Sequence, residues 1–368
     1  MTSEIQRVAI NTGGGDAPGL NAVIRSAVIS GRRRGWEMFG IRDGYNGLLE
    51  PEAYPDGGVI PLTRESVRGI THLGGTILGT TNRGNPLEYP VLHPDGSVEV
   101  VDRSDEIGSS LADRGIDAVV AIGGDGSLAI ANALFEKGVK IVGVPKTIDN
   151  DLEETVVTFG YDSAISFAAE CIDRLHSTAE AHDRVMVVEV MGRYAGWIAV
   201  GAGVAATADA ILIPEIPFDL DLVAEKVLDR QRHGRDFSII VVAEGAVPKD
   251  GERSILGKAL GQAERLGGIG LQVTAGLEEI TGKETRTVVL GHLLRGGGPT
   301  TTDRLLALRF GSAAIRSIAS GCFGCMVALD PPVVRNVPLS SAISRMKTVP
   351  LDSDIMLTAR DLGISFGD

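Results

Sequence analysis

Three short segments, the first two glycine-rich and each between an apolar run and a helical pattern, hold the residue types from which phosphoryl chemistry is built. The first is TGGGDAPG, Thr12 to Gly19. Its small residues let backbone N–H groups approach a phosphate, and the following helix N-terminus adds favourable partial charge; a plain tight turn is the alternative. In the second, Gly123 to Ser127, the single carboxylate of Asp125 stands among glycines. It is a hard oxygen ligand suited to Mg²⁺ on a polyphosphate, or else a helix cap. The third, PKTIDND, puts Asp149 and Asp151 two residues apart beside Lys146 and Thr147. Such a set can hold a metal-bound phosphoryl group and a hydroxyl together while one Asp takes the hydroxyl proton, though an Asx-rich turn would use the same residues.

Arginine offers planar, bidentate recognition of phosphate, and several arginines stand at element ends. Arg184 opens an apolar run, Arg193 follows Met191 and Gly192, and Arg286, His292 and Arg295 frame TRTVVLGHLLRGGGP. Singly, each is equally a surface ion pair; their shared position beside Gly-rich breaks sets them apart. Other features carry less. Cys322 and Cys325 form C-x-x-C without a second pair and read as packing. Arg230, Arg232, His233 and Arg235 read as a solvated helix end, and the remaining histidines show no metal spacing.

These loops need rigid elements to aim them. RVAINT (7–12) precedes a helical pattern over 21–34, and DAVVAI (117–122) precedes one over 128–138. RVMVVEV (184–190) leads through MGRYAG into the helical WIAVGAGVAA, and FSIIVVAEGA (237–246) comes before LGKALGQAERLG (256–267), which also reads as helix. Near-continuous apolar strands followed by helices predict parallel strands buried on both faces, joined by right-handed crossovers, as in doubly wound α/β folds. A helix over 163–182 follows the PKTIDND loop and places a hinge near residue 160. Ligands of such sheets bind beyond the carboxyl ends of the strands, where each Gly-rich loop falls.

At 368 residues the chain is long enough for two domains, and 43% hydrophobic with 23% charged residues excludes wholesale disorder and fibrous classes. Glycine reaches 48 residues with no collagen period, so it serves specific turns. The formal charge of -13 repels polyanions, which argues against nucleic acid or a membrane surface as partner while leaving room for a local anion pocket. Three cysteines fit a reducing compartment, and MTSEIQRVAI has no basic segment before a long apolar run; a soluble cytoplasmic protein is expected.

Pro18 occupies the third-glycine position of a G-x-G-x-x-G fingerprint, and no G-x-x-x-x-G-K-[ST] loop occurs. Instead TGGGDAPGLN, GGTILGTTNRGNP, GGDGS, PKTIDND, EVMGRYAG, VVAEGA and GHLLRGGGPTTTDR resemble the phosphofructokinase family in identity and order, over at least residues 7–330. The resemblance implies phosphoryl transfer to O1 of fructose 6-phosphate with Mg²⁺. It also implies two doubly wound α/β domains with largely parallel sheets and the active site in the cleft between them. Residues 1–160 with about 294–344 would bind the donor, and 161–293 with about 345–368 the sugar phosphate.

By that resemblance Gly14 lies on the donor phosphates, Asp125 binds Mg²⁺, and Gly124, Gly126 and Ser127 line the nucleotide. Arg83 and Gly84, after GGTILG, fall on the donor side, with Asn82 the neighbouring candidate. Asp149 would be the proton acceptor, Thr147 and Ile148 substrate contacts, and Lys146 and Asp151 active-site supports. Met191, Gly192 and Arg193 would contact the sugar and the transition state and Glu244 the sugar hydroxyls. His292 and Arg295, with Leu293 and Leu294 between them, would hold the 6-phosphate. Arg184 and Arg286 would reach across a subunit interface, which implies a homodimer or homotetramer.

Relatives that use pyrophosphate usually carry Asp at the position of Gly126 and Lys at that of Lys146, whereas allosteric ATP enzymes carry Gly at both. This chain is mixed. A carboxylate at 126 would fill and charge the space needed by the nucleotide's α-phosphate, and Gly leaves it open, so ATP is the expected donor; Lys146 can stabilise transferring charge with either. Pyrophosphate as donor and sedoheptulose 7-phosphate as acceptor are the alternatives within the family. A dinucleotide oxidoreductase is disfavoured by Pro18 and by the lack of an acidic residue ending the second strand. A catalytically silent subunit would be expected to lose Asp125, Asp149 or Arg193, and all three are present.

Overall fold

Because a parallel strand can be reached only through a crossover, the alternation of apolar runs and helical stretches builds two separate sheets, each filled in by helices. The structure, a computed structural model, describes residues 5–93, 95–257 and 265–368. The strands in chain order are β1 (Arg7–Thr12), β2 (Glu37–Ile41), β3 (Val59–Leu62), β4 (Tyr89–Leu92), β5 (Val98–Val101), β6 (Ala118–Gly123), β7 (Ile141–Thr147) and β8 (Phe159–Gly160). They continue as β9 (Val185–Val190), β10 (Ala210–Leu212), β11 (Ser238–Ala243), β12 (Ile255–Gly257), β13 (Arg265–Leu266), β14 (Thr285–Val289), β15 (Cys325–Asp330) and β16 (Val333–Pro338).

The larger sheet runs β16-β15-β7-β6-β1-β2-β3, with β8 beside β7. Its centre is parallel, and only the edge strands β3 and β16 are antiparallel to their neighbours. The smaller sheet, β10-β11-β9-β14, is parallel throughout. Both faces of each sheet are covered, which is why the central strands read as unbroken apolar runs. In the larger sheet the helices Leu20–Arg32 and Thr301–Ala319 pack Ile24, Phe310 and Ile315 against one face. Ile107, Leu111 and Leu134, from the helices Ser104–Asp113 and Asp125–Glu136, cover the other. In the smaller sheet Tyr161–Ala181 and Trp197–Ala205 cover one face, and Leu220–Arg232 with Ile269–Thr281 the other.

The chain leaves the larger sheet at β8 and enters the helix Tyr161–Ala181 through Gly160, whose φ of 100° admits the turn. It returns to the larger sheet with the helix Thr301–Ala319, and its last helix, Asp354–Asp361, packs Met356 and Ala359 on the smaller sheet. No helix among the described residues is long and apolar enough to cross a membrane.

At its described ends the segment LGKALGQAERLG is strand, not the expected helix. Its ends form the antiparallel pair β12 and β13, residues 258–264 lie outside the described residues, and the helix starts only at Ile269. Gly267 and Gly268, with φ of 135° and 86°, break helical geometry immediately before it. Arg230 also departs from the solvated reading. It pairs with Asp209 at 2.8 Å and stacks on Phe237, whereas Arg232, His233 and Arg235 are exposed.

Candidate active site

In each sheet the strand order reverses at a central strand, and loops from the two reversal points face one another. From β1 the larger sheet grows to β2 on one side and to β6 and β7 on the other; from β9 the smaller grows to β11 and to β14. The loops after β1, β6 and β7 and those after β9, β11 and β14 line one cleft of about 870 Å³.

On the larger-sheet side Gly14, Gly124, Asp125, Gly126 and Ser127 line the cleft, as do Asn82, Arg83 and Gly84. Gly13 N–H donates to the Ile122 carbonyl and Gly14 N–H to that of Thr81, which pins the first loop between its neighbours. A Cβ at Gly14 would lie 3.3 Å from Ser127 Oγ and 3.5 Å from Lys146 Nζ, so backbone, hydroxyl and ammonium converge on one small space. Gly14 itself has a φ of 77°. Asp125 opens the helix Asp125–Glu136, where the helix dipole suits bound phosphate.

β7 ends in the third loop. Lys146 is 3% exposed and its ammonium donates to the Gly15 carbonyl. Burial, reinforced by the nearby Arg295 charge, pushes its pKa down to about 8 against the pull of Asp149, Asp16 and Asp125. Asp149 and Asp151 are 4% and 7% exposed. Burial raises Asp149 above the carboxylate range; Arg295, Arg193 and Lys146 oppose the shift, and the charge of Glu244 adds to it. Burial, with the charges of Asp149 and Asp125, pushes Asp151 up to about 7. Among the described residues, Asp149 Oδ1 and Asp151 Oδ1 are buried without a hydrogen-bond partner, so each keeps lone pairs free for a ligand. Thr147 Oγ1 accepts from Asp149 N–H at 3.0 Å, fixing the turn that separates the hydroxyl from the carboxylate.

The smaller sheet supplies the opposing wall. After β9, Gly192 and Arg193 take φ of 143° and 51°, and Arg193 N–H donates to Glu244 Oε1 at 3.1 Å. Burial raises Glu244, only partly offset by that N–H. Met191, Arg193, Glu244, His292 and Arg295 line the cleft. Arg295 crosses it: Nη1 donates to the Asp16 carbonyl at 3.0 Å, and a Cβ at Gly15 would come within 2.7 Å of it. A strong cation therefore stands between the two walls, in reach of anions from either side.

Other expected residues stand outside the cleft lining. Ile148 and Leu294 are core residues and can offer only their backbone, while Leu293 is 62% exposed. Arg184 precedes β9 and Arg286 lies early in β14, at the amino ends of strands whose carboxyl ends meet the cleft; both pair with Glu284. At roughly 3.3 Å per residue the length of β9 separates Arg184 from its own cleft by about 20 Å. Conversely, Asn11, Tyr45, Glu189, Leu256, Arg265 and Leu266 line the cleft without having been singled out from the sequence. Glu189 left a signal, a charge inside the apolar run VMVVEV; it accepts from Gly268 and Gly270 N–H and anchors the start of the helix Ile269–Thr281.

Residues 7–318 match the phosphofructokinase family. The chain is 49% identical over 370 residues, 100% of this chain and 99% of the relative, to an ATP-dependent 6-phosphofructokinase of Chloroflexus aurantiacus. It is also 49% identical over 351 residues, 94% of this chain and 97% of the relative, to a pyrophosphate–fructose 6-phosphate 1-phosphotransferase of Amycolatopsis mediterranei. Among solved structures, Pichia pastoris phosphofructokinase in the T-state matches with a TM-score of 0.79 at 30% identity, over 94% of this chain and 36% of that longer one. With two strand-end walls closing on a buried carboxylate, an ammonium and two arginines, and with matches of this extent, the chain belongs to the phosphofructokinase family.

Proposed function

We propose that this chain transfers the terminal phosphoryl group of ATP to O1 of fructose 6-phosphate in glycolysis. The observation that carries the reading is Asp149: a buried carboxylate with an unpartnered oxygen and a raised pKa, facing a cleft that also holds Lys146, Arg193 and Arg295. A base whose pKa is lifted toward neutrality is better matched to a sugar hydroxyl than an ordinary carboxylate. Asp149 takes the O1 proton as O1 bonds to phosphorus and the bridging bond to the departing ADP breaks. Arg193 and Lys146 stabilise charge on the transferring group, and Thr147 orients it. Asp151 supports Asp149 from two residues along the same loop. Glu244, Met191 and Gly192 shape the sugar side, with the backbone at Ile148, Leu293 and Leu294 as added contacts, while His292 and Arg295 take the 6-phosphate.

The donor lies on Gly14, Arg83, Gly84, Gly124, Gly126 and Ser127. Among the described residues no three His, Cys, Asp or Glu side chains gather as a metal site. Asp125 with phosphate oxygens and water fits Mg²⁺, which commonly takes one or two carboxylates beside substrate phosphates, and the ion would neutralise donor charge there. Arg184 and Arg286 serve the 6-phosphate of a neighbouring subunit in a homodimer or homotetramer, consistent with their distance from their own cleft. The donor-binding domain comprises 1–160 and about 294–344, the sugar-binding domain 161–293 and about 345–368, and the enzyme works in the cytoplasm. One specific residue, the cleft-lining Lys146, favours a second reading in which pyrophosphate is the donor. The test is ³¹P NMR of purified enzyme with ATP, Mg²⁺ and fructose 6-phosphate. A new phosphomonoester on C1, formed together with ADP, is expected; ATP breakdown without a C1 ester overturns the reading.

A further inference from the structure

Lys347 lies outside the cleft lining, yet its bonds converge on the loop that carries Asp149. Lys347 Nζ donates to Asn150 Oδ1 at 3.0 Å, to the Thr155 carbonyl at 2.9 Å and to the Val156 carbonyl at 3.1 Å. All three donors of the partly buried ammonium are thereby used. Its backbone N–H donates to the Asp151 carbonyl at 2.9 Å, and Met346 forms an antiparallel bridge with Leu152. Asn150 sits between the two carboxylates with a φ of 52°, a left-handed conformation that Asn adopts more readily than most residues with a side chain. It is held there because Oδ1 also accepts Thr158 N–H at 3.1 Å. Whatever sets the backbone at Asn150 sets the direction of Asp149 and Asp151.

The same segment reaches the opposite wall. Trp197 Nε1 donates to the Lys347 carbonyl at 2.9 Å, and the ammonium stands 5.5 Å from the Trp197 ring centre. Val349 N–H donates to Glu215 Oε1 at 2.9 Å, and the carboxylate of Glu215 also accepts from Gly196 N–H at 2.9 and 3.1 Å. Gly196 and Trp197 follow the Arg193 turn directly.

We propose that Lys347 is a positioning residue: it locks the Asp149–Asp151 loop in the backbone shape that aims both carboxylates into the cleft, and it ties that loop to the wall that bears Arg193. The inference rests on Asp149 being the base of the reaction proposed above. Lys347→Met removes the ammonium while keeping much of the side-chain bulk. A displacement of the base by about 1 Å lowers turnover by about 100-fold, so kcat should fall to that extent while KM for ATP and for fructose 6-phosphate stays within about three-fold. Lys347→Arg keeps the charge and the donors and should recover at least ten-fold of that loss. A Lys347→Met protein with a lower melting temperature but unchanged kcat per folded molecule overturns the proposal, because it marks a purely structural lysine. Should Lys347→Met not fold, Trp197→Phe removes the indole donor to the Lys347 carbonyl while keeping an aromatic ring in place. A kcat reduced three- to ten-fold at constant KM then supports the proposal, and an unchanged kcat overturns it. Wild-type enzyme is assayed in parallel: if it transfers no phosphoryl group, the functional reading fails, whereas an active wild type with an equally active Lys347→Met variant sinks the Lys347 proposal alone.

Discussion

Replacing Gly126 by Asp isolates the electrostatics of donor choice. A Cβ at position 126 meets no atom within 4 Å, and the residue lines the cleft, so the added carboxylate projects into ligand space and leaves the protein's own packing intact. It would stand beside Asp125 in the first helical turn. Two unit charges about 5 Å apart at an effective dielectric of about 20 repel by roughly 3 kcal/mol, equivalent to about 200-fold in affinity or kcat/KM. With coupled detection of ADP at saturating fructose 6-phosphate, Gly126→Asp should therefore lose at least about 100-fold in kcat/KM for ATP while its melting temperature holds. Pyrophosphate, lacking the nucleoside and α-phosphate, avoids the contact and can still meet Lys146, so its use should stay at background or rise slightly. Gly126→Asn, nearly isosteric and neutral, separates charge from bulk. Retention of ATP activity within three-fold by Gly126→Asp, or equal loss in the Asn and Asp variants, refutes the charge reasoning.

Asp149→Asn should lower kcat by roughly 10² to 10⁴ with substrate KM within a few-fold, the scale of lost acid–base assistance; near-normal turnover removes Asp149 from the role. Mixing and reassembling an Arg184→Ala variant with an Asp149→Asn variant should restore part of the activity, since some clefts would then combine both intact residues; mixed oligomers as inactive as their parents would assign Arg184 to its own subunit. Burial, with the charges of Asp149 and Asp125, raises Asp151 from 3.8 to about 7, so folding favours its protonated form. That contribution is full below the unfolded value and lost as pH rises through about 7, so Asp151→Asn should raise the ligand-free melting temperature, relative to wild type, more at pH 8 than at pH 5. Equal differences at the two pH values would contradict the assignment.

The central strands were legible because strands buried on both faces have no polar alternation to blur: RVAINT is β1 from Arg7 to Thr12, and RVMVVEV is β9 from Val185. Edge strands β3 and β16 were not, since their pairing is decided by neighbours rather than by periodicity. The described ends of LGKALGQAERLG escaped the helical pattern because the meaning of the glycines that end and follow it is tertiary. Glu189 and Ser254 anchor Gly267 to Gly270 and delay the helix to Ile269. The glycine loops marked one wall of the cleft, because they stand at the carboxyl ends of buried parallel strands. Asn11 and Tyr45 stayed hidden, as nothing in their local sequence tells which side of a strand end or loop faces a cleft formed with a distant segment. Lys347 was invisible for the same reason: its partners Asn150, Thr155 and Val156 lie nearly two hundred residues earlier in the chain.

The most direct test of the central claim is a crossed assay of purified enzyme with Mg²⁺, pairing ATP or pyrophosphate with fructose 6-phosphate or sedoheptulose 7-phosphate and measuring kcat/KM for each of the four combinations. With Gly126 open to the cleft, ATP with fructose 6-phosphate should be the best pair, and pyrophosphate should give little or no transfer to either sugar. Transfer from pyrophosphate but not from ATP would mean that Lys146 outweighs Gly126 and would contradict the proposed activity.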